Sequence, residues 1–493
     1  MISAVFFVFT ISGTSHAHTL PEMRKSGTYL TVSSFSGLEK HGYFELNWFG
    51  IQEDYIGQTF AVLSRYNPPR ALSDILSLWT IKTSSGRYET SVLAPNFDVG
   101  TLMRGQCLGY WALIVRNENA DKNGKGLEFV KQKARWNLEK GEFNTTILHL
   151  TQLLSCFPKR ISSSKGPAPK CVEVLHSSCF TPKPRWMREN YSVLSSLSLM
   201  DMLIPGTHDA GMYNQGVTLP HEKHVYTQDQ TIKQQLAYGI RSLDLRVQYS
   251  SGQFYITHDR VRGWPTVKQV LREVREFVKE TGELVILDFH RFTTGFDEGY
   301  DNVPARHAEL QKLIVTELSG VIRKRFDYLK KLNEIFAESQ NGTMVQGHVI
   351  AFYHSKYFRG RYENYLAPAI LHRWANAQCP KKLMKYLDGK ACVHGSCNPI
   401  AIMAELTPSF PDLIVGTRRA AEWINHDVTE FFRHKQQTCS GIVATDYFLG
   451  NGMIDVTIEA NLLRGRDGQF VQQYKTYTQC DTADVHLKKS LKQ

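Results

Sequence analysis

Two histidines, His208 and His258, and one arginine, Arg246, recur with carboxylates along the middle of a 493-residue chain. One imidazole can take a proton from an attacking hydroxyl while another protonates a leaving oxygen. A planar guanidinium stabilises the charge that builds on phosphorus oxygens in between. The combination points to phosphoryl transfer. Five stretches carry it. "LIPGTHDAG" delivers His208 and Asp209 between two glycines, and "GIRSLDLRV" delivers Arg241, Asp244 and Arg246. "YITHDR" ends in His258, "VILDFHR" holds Asp288 and His290, and "IVATDYF" holds Asp446. A lone histidine is more often a structural hydrogen-bonder, so the weight lies on the joint placement.

Each set closes a strand-like run. A strand shows residues i and i+2 on one face, which puts Asp244 beside Arg246 and Asp288 beside His290. Strand candidates are "MDMLIPG", "IRSLDLRV", "QFYIT", "ELVILDF", "HVIAFY", "DLIVG" and "GIVATDYF", with helix-like text between them. Over 266–280, Val267, Val270, Leu271, Val274, Phe277 and Val278 share a helical face, and Thr266 with Gln269 can form a capping box. Repeated strand–helix units predict an α/β fold, a (β/α) TIM-like barrel of irregular build, over 187–493. In such barrels reactive groups stand at strand ends. No glycine-rich phosphate loop follows a strand, so a nucleotide-binding function is not supported.

The chain before the barrel reads differently. "GTYLTVSSF", "GYFELNWFGI", "IGQTFAVLSRY", "GRYETSVLA" and "GYWALIVRN" alternate at period two between Gly, Asn and Pro, predicting a β-sandwich over 18–156. The run 157–186 is rich in proline, serine and lysine and is expected to be a linker. Residues 1–17 combine a short apolar run with Ser15-His16-Ala17, the pattern of a secretory signal peptide. No later apolar stretch reaches the ~18 residues a transmembrane helix needs. Nine cysteines fit an oxidising compartment, with Cys171–Cys179 and Cys392–Cys397 as candidate local loops, and no zinc-type spacing occurs. Sequons at Asn144, Asn190 and Asn341 agree with secretion. The net charge of +11 suits an anionic surface, and ordinary apolar (42%) and charged (21%) fractions exclude a mainly disordered chain.

"IPGTHDAG", "TIKQQLAYGIRSLDLRV", "FYITHDRV" and "ELVILDFHRF" together resemble, in order and spacing, the X-box of the phosphatidylinositol-specific phospholipase C family, and within it the secreted, single-X-domain members. "ELNWFGIQEDYIG" is similar to a pattern in small β-sandwich modules appended to lipid-metabolising enzymes. The resemblance implies roles. His208 is the base that deprotonates the inositol 2-hydroxyl, and His258 the acid that protonates the departing diacylglycerol oxygen. Asp209 is the carboxylate supporting that acid, Arg246 the phosphate-binding arginine, and Asp446 the carboxylate behind His208. Asp244, His290 and, in "ILHRWANA", Arg373 and Trp374 are candidate substrate-binding residues. Calcium-dependent relatives place acidic ligands where Arg246 stands, and a fixed guanidinium repels a divalent cation. No metal or other cofactor is therefore expected. The implied products are diacylglycerol and inositol 1,2-cyclic phosphate, from phosphatidylinositol or glycosyl-phosphatidylinositol anchors at a membrane surface. No nucleic-acid partner is expected.

One departure stands out: Asp259 follows the second histidine, where the family often has glycine. It would raise the proton affinity of His258 or crowd the substrate. Two rival readings remain. One is a non-catalytic lipid- or glycan-binding secreted protein, which has no need of a matched acid and base. The other is a glycerophosphodiester or sphingomyelinase D type barrel, which needs magnesium-binding carboxylates where Arg246 stands.

Overall fold

The structure is a computed structural model. It describes residues 25–116 and 173–466, apart from 36–41, 71, 214–223, 298, 338–347, 358–361, 393–397, 408–415 and 436–437, together with short strand pieces between 130 and 148. The expected signal segment, and the sequons at Asn144 and Asn341 with their side chains, lie outside the described residues.

The site depends on one curled sheet. Its strands are β1 (Leu203–Thr207), β2 (Ser242–Ser250), β3 (Gln253–His258), β4 (Val261–Thr266), β5 (Leu284–Phe292), β6 (His348–Tyr353), β7 (Leu366–Ala367), β8 (Leu371–Trp374), β9 (Ile400–Met403) and β10 (Gly441–Thr445). Eight of them run parallel in the order β7-β6-β5-β2-β1-β10-β9-β8, and the β3–β4 hairpin hangs antiparallel from β2. No strand pairing joins β7 to β8 among the described residues, so the expected barrel is an open, curled one. The chain passes from β7 to β8 through only Pro368, Ala369 and Ile370, without a helix to carry it round. The expected "DLIVG" strand lies outside the described residues except for Gly416, which starts a helix. The strand beside β10 is instead "IAIM" of β9, too short and too uniformly apolar to show a period.

Helices cover the outside of the sheet. The best-read one, Val267–Thr281, starts at the Thr266–Gln269 capping box and stops at Gly282 in the left-handed region. Its buried face, Val267, Val270, Leu271, Val274, Phe277 and Val278, joins Leu243, Leu245, Val247, Val285 and Leu287 from the sheet in one core. Between β1 and β2 the helix Ile232–Tyr238 repeats this capping with Thr231, Gln234 and Gly239. At the far end from the site, Arg241 pairs with Glu283 at 2.7 Å, both side chains fully buried. Arg241 also donates to the carbonyls of Leu236, Ile240, Lys183 and Pro184, so this buried charge is satisfied on every side.

The N-terminal strands form two antiparallel sheets. Gly27–Val32, Tyr43–Phe49 and Gly86–Leu93 make one; Thr59–Ser64, Ile75–Thr80, Trp111–Arg116 and Glu173–Cys179 make the other. Leu30, Phe44, Leu46 and Trp48 from the first share an apolar cluster with Ala61, Leu63, Ala112 and Ile114 from the second. Glu173–Cys179 corrects the sequence expectation, because it lies inside the stretch read as linker yet pairs along Trp111–Arg116. Disulfides also pair differently: Cys107 with Cys179, and Cys392 with Cys439. Cys179 sits on that edge strand, within reach of the loop before Trp111, which sequence spacing could not reveal. Arg87 ties these sheets to the helix Gly416–His434 through Glu422 at 2.8 Å.

Candidate active site

Strand β1 ends at Thr207, and the chain then turns sharply. Asp209 adopts φ 44°, a conformation aspartate tolerates better than most residues. The turn is pinned: His208 N–H donates to the Thr445 carbonyl (3.1 Å), Asp209 N–H to Asp244 Oδ2 (3.0 Å), and Gln228 Nε2 to the His208 carbonyl (3.0 Å). The flanking glycines are needed for approach. A Cβ on Gly206 would lie 2.8 Å from Ile442, and one on Gly211 would lie 2.6 Å from Ile256, two residues before His258. Gly211 thus lets the β3–β4 hairpin close over the turn.

The two imidazoles come together, with ring centroids 6.5 Å apart and planes nearly perpendicular. His208 Nδ1 lies 2.7 Å from Asp446 Oδ1, and its Nε2 faces Arg246 Nη2 at 2.5 Å. A guanidinium nitrogen only donates, so in the neutral ring Nε2 is the acceptor and Nδ1–H points at Asp446. Burial opposes protonation of His208, but the Asp446 and Glu405 carboxylates outweigh it together with the opposing Arg246 charge, raising its pKa to about 9. His258 moves the other way. Burial, then Arg246 and His208, push it down to about 4, and the raising influence of Asp259 is outweighed. Asp259 itself points outward and pairs with Arg291 at 2.9 Å.

Asp209 does not stand behind His258. The His258 Nδ1 meets the Val225 carbonyl at 2.9 Å, while both Asp209 carboxylate oxygens lack hydrogen-bond partners among the described residues. Asp209 lies instead 3.5 Å from Arg246 Nη1, and burial raises its pKa to about 7. The reason is topological: His258 arrives on a hairpin from the opposite side of the turn, where the chain around Val225 is nearer.

Asp244 is enclosed rather than open to a ligand. Its Oδ2 holds Arg246 Nη2 (3.2 Å) and its Oδ1 holds His290 Nε2 (2.6 Å). Burial opposes its ionisation, yet His290 and Arg246 hold the carboxyl well below the usual range. Its part is to aim the guanidinium. Arg373 is a further correction: its Nη1 donates to the Lys390 and Ala391 carbonyls at the end of the helix Pro380–Lys390, turned away from the site. On β8 the inward residue is His372, which reaches Asp288 Oδ2 at 2.7 Å, and Trp374 lies at the rim, 51% exposed.

Sequence reading missed two groups. His372 packs against His290 with centroids 4.0 Å apart and the rings tilted by 35°. Glu405, after β9, is 4% exposed, has an unpartnered Oε2 among the described residues, and is raised by burial to about 7. "ILHRW" contained the first signal, since alternation on a strand puts His372 opposite Arg373. Glu405 had none, because β9 itself was not seen. The arrangement sets two imidazoles of opposed proton affinity beside one guanidinium, the set of groups that proton transfer at a phosphate ester calls for.

No family model matches the chain. A PI-PLC X-box domain-containing protein of Dictyostelium discoideum is 30% identical over 129 residues, covering 23% of this chain and 17% of that protein. The chain therefore spans about a sixth of that curated relative. The phosphatidylinositol-specific phospholipase C of Listeria monocytogenes matches 57% of this chain and 98% of its own at 18% identity and TM-score 0.43. That of Staphylococcus aureus matches 56% and 97% at 15% identity and TM-score 0.40.

Proposed function

We propose that this chain, which resembles the phosphatidylinositol-specific phospholipase C X-domain family, is a phosphodiesterase that cleaves phosphatidylinositol or glycosyl-phosphatidylinositol anchors without a metal. The carrying observation is that the His208 and His258 rings lie with centroids 6.5 Å apart while Arg246 Nη2 sits against His208 Nε2 at 2.5 Å. His208 Nε2 takes the proton of the inositol 2-hydroxyl, whose oxygen attacks phosphorus. Arg246, aimed by Asp244 and Asp209, stabilises the charged phosphoryl oxygens. His258 gives a proton to the diacylglycerol oxygen as its bond to phosphorus breaks, leaving inositol 1,2-cyclic phosphate and diacylglycerol. A substrate phosphate supplies the negative charge that raises His258 from its depressed resting value, arming the acid only when substrate is bound.

The same geometry supports the metal-independent reading. Arg246 stands between Asp209 and Asp244, so their charge is already met by a guanidinium. Among the described residues the acidic trio close enough to share an ion is Glu45, Glu89 and Glu422, which includes none of the proposed site residues. Asp446 holds His208 in its tautomer, and Glu405 and His290 line the headgroup space. We assign the N-terminal sheets, read as a β-sandwich, to recruitment of the catalytic unit to its membrane. The disulfides support a secreted protein, and no helix among the described residues is long and apolar enough to cross a membrane.

The test is direct. Purified protein is incubated with phosphatidylinositol vesicles in excess chelator and followed by phosphorus NMR. Cyclic inositol phosphate should accumulate, and His208→Ala should abolish it. Unchanged turnover in His208→Ala removes this mechanism, and loss of turnover in chelator removes metal independence.

A further inference from the structure

The His290–His372 pair, with ring centroids 4.0 Å apart, transfers no proton in the reaction scheme and is unusual in its surroundings. Each ring is fixed by one nitrogen: His290 Nε2 on Asp244 (2.6 Å) and His372 Nε2 on Asp288 (2.7 Å). Neither Nδ1 has a hydrogen-bond partner among the described residues, and the side chains keep 15% and 18% exposure. Asp288 Oδ1 is buried without a hydrogen-bond partner among the described residues. The pair shares Asp244 with Arg246, so it adjoins the guanidinium proposed above to hold the phosphate.

We propose that the His290–His372 pair reads the charge of the headgroup ring, accepting a ring with free hydroxyls at neutral pH and admitting a ring that carries a further phosphate only after gaining a second proton. This rests on the phosphodiesterase reading and specifies its substrate class.

The charge balance supports it. Asp244 and Arg246 face the pair from β2, Asp288 from β5 and His354 from the end of β6. Burial opposes protonation of both rings. For His372 the Asp288 and Asp244 carboxylates outweigh it and raise the pKa, whereas His290, beside His372, is lowered. One proton on the pair leaves two carboxylates matched by His372 and Arg246. A ring phosphate would then meet no surplus positive charge and two nearby carboxylates. A second imidazolium, its ring centroid 4.0 Å from the first, forms at lower pH or when a dianion draws it in. In contrast, the Nδ1 of neutral His290 accepts a hydrogen bond from a ring hydroxyl, and the Nδ1–H of protonated His372 donates one to a hydroxyl oxygen.

The experiment compares kcat/KM on phosphatidylcholine vesicles containing phosphatidylinositol or phosphatidylinositol 4-phosphate, between about pH 5.5 and about pH 8. In the unaltered protein the preference for the unphosphorylated lipid should fall about tenfold or more on acidification. In His290→Gln and His372→Gln that ratio should become independent of pH. Binding of myo-inositol 1-phosphate and 1,4-bisphosphate, followed by imidazole nitrogen NMR, gives the same comparison without turnover. A preference that ignores pH, or that keeps its pH dependence in both variants, overturns the proposal. A protein that hydrolyses neither lipid yet binds the soluble headgroups with the expected pH dependence would remove the phosphodiesterase reading and leave the charge-reading pair standing.

Discussion

Asp446→Asn isolates what the carboxylate behind His208 does. Asparagine keeps the shape and removes the charge. His208 sits at about 9 because Asp446 and Glu405 outweigh burial and Arg246. Raised from an ordinary 6.5 to about 9 in a nearly buried ring, the imidazolium is favoured by about 3 kcal/mol at 1.36 kcal/mol per pH unit. Loss of the Asp446 charge leaves burial and Arg246 unopposed except by Glu405, so the titration should fall below about 6.5. Turnover should fall too, although a less basic imidazole is more often neutral at pH 7. The Asn amide can present N–H instead of O to Nδ1, moving the ring proton to Nε2, against the Arg246 donor and on the very atom that must accept. Losing one charge-assisted hydrogen bond, worth about 1.5–3 kcal/mol, with partial loss of the tautomer predicts a decrease of roughly 10²–10³ in kcat. Initial rates of cyclic phosphate release and the NMR titration of the His208 ring check both numbers. A variant whose ring still titrates near 9 and whose rate is within about threefold of the parent would refute this account of Asp446.

Four further outcomes are expected. Arg246→Lys keeps the charge but loses the fork held by Asp209 and Asp244, and should lower kcat/KM by about 10²–10³ in the same vesicle assay. Gly211→Val drives a side chain into Ile256, so the β3–β4 hairpin must shift; activity should fall at least about tenfold while unfolding costs change by about 1–3 kcal/mol, read by rates and denaturant melts side by side. Glu283→Gln leaves Arg241 buried without its counter-charge and should destabilise by about 3–5 kcal/mol in urea unfolding, with the site chemistry intact in the folded fraction. For pH dependence, the productive free form has His208 neutral and His258 protonated, the reverse of what pKa values of about 9 and about 4 favour. Its share is flat between those values and falls outside them, so kcat/KM should show an acid limb near 4 and an alkaline limb near 9; a single limb near 6.5 would contradict the opposed shifts.

Much of the site was legible because strand alternation and strand ends are local. Asp244 beside Arg246, Asp288 beside His290, and the capped helix Val267–Thr281 all follow from spacing alone. The misplaced roles were those that need a neighbour from elsewhere. Asp209 follows His208 in sequence, yet its ion-pair partner is Arg246 and the His258 ring meets Val225. Arg373 reads as a pocket residue until its strand is seen to face it toward a helix end. Cys179 pairs across 72 positions, where sequence proximity favoured Cys171.

The sequence by itself determined the chemical inventory: two imidazoles, one guanidinium and their carboxylates, carried on or just after strand-like runs. Side-chain type and the period of two are properties of short segments, so they survive without knowledge of the rest. Only the tertiary structure decided the pairings, the opposed proton affinities of His208 and His258, and the presence of His372 and Glu405. Those depend on burial and on charges brought within a few ångströms by a curled sheet, and Coulomb energy follows distance in space rather than along the chain.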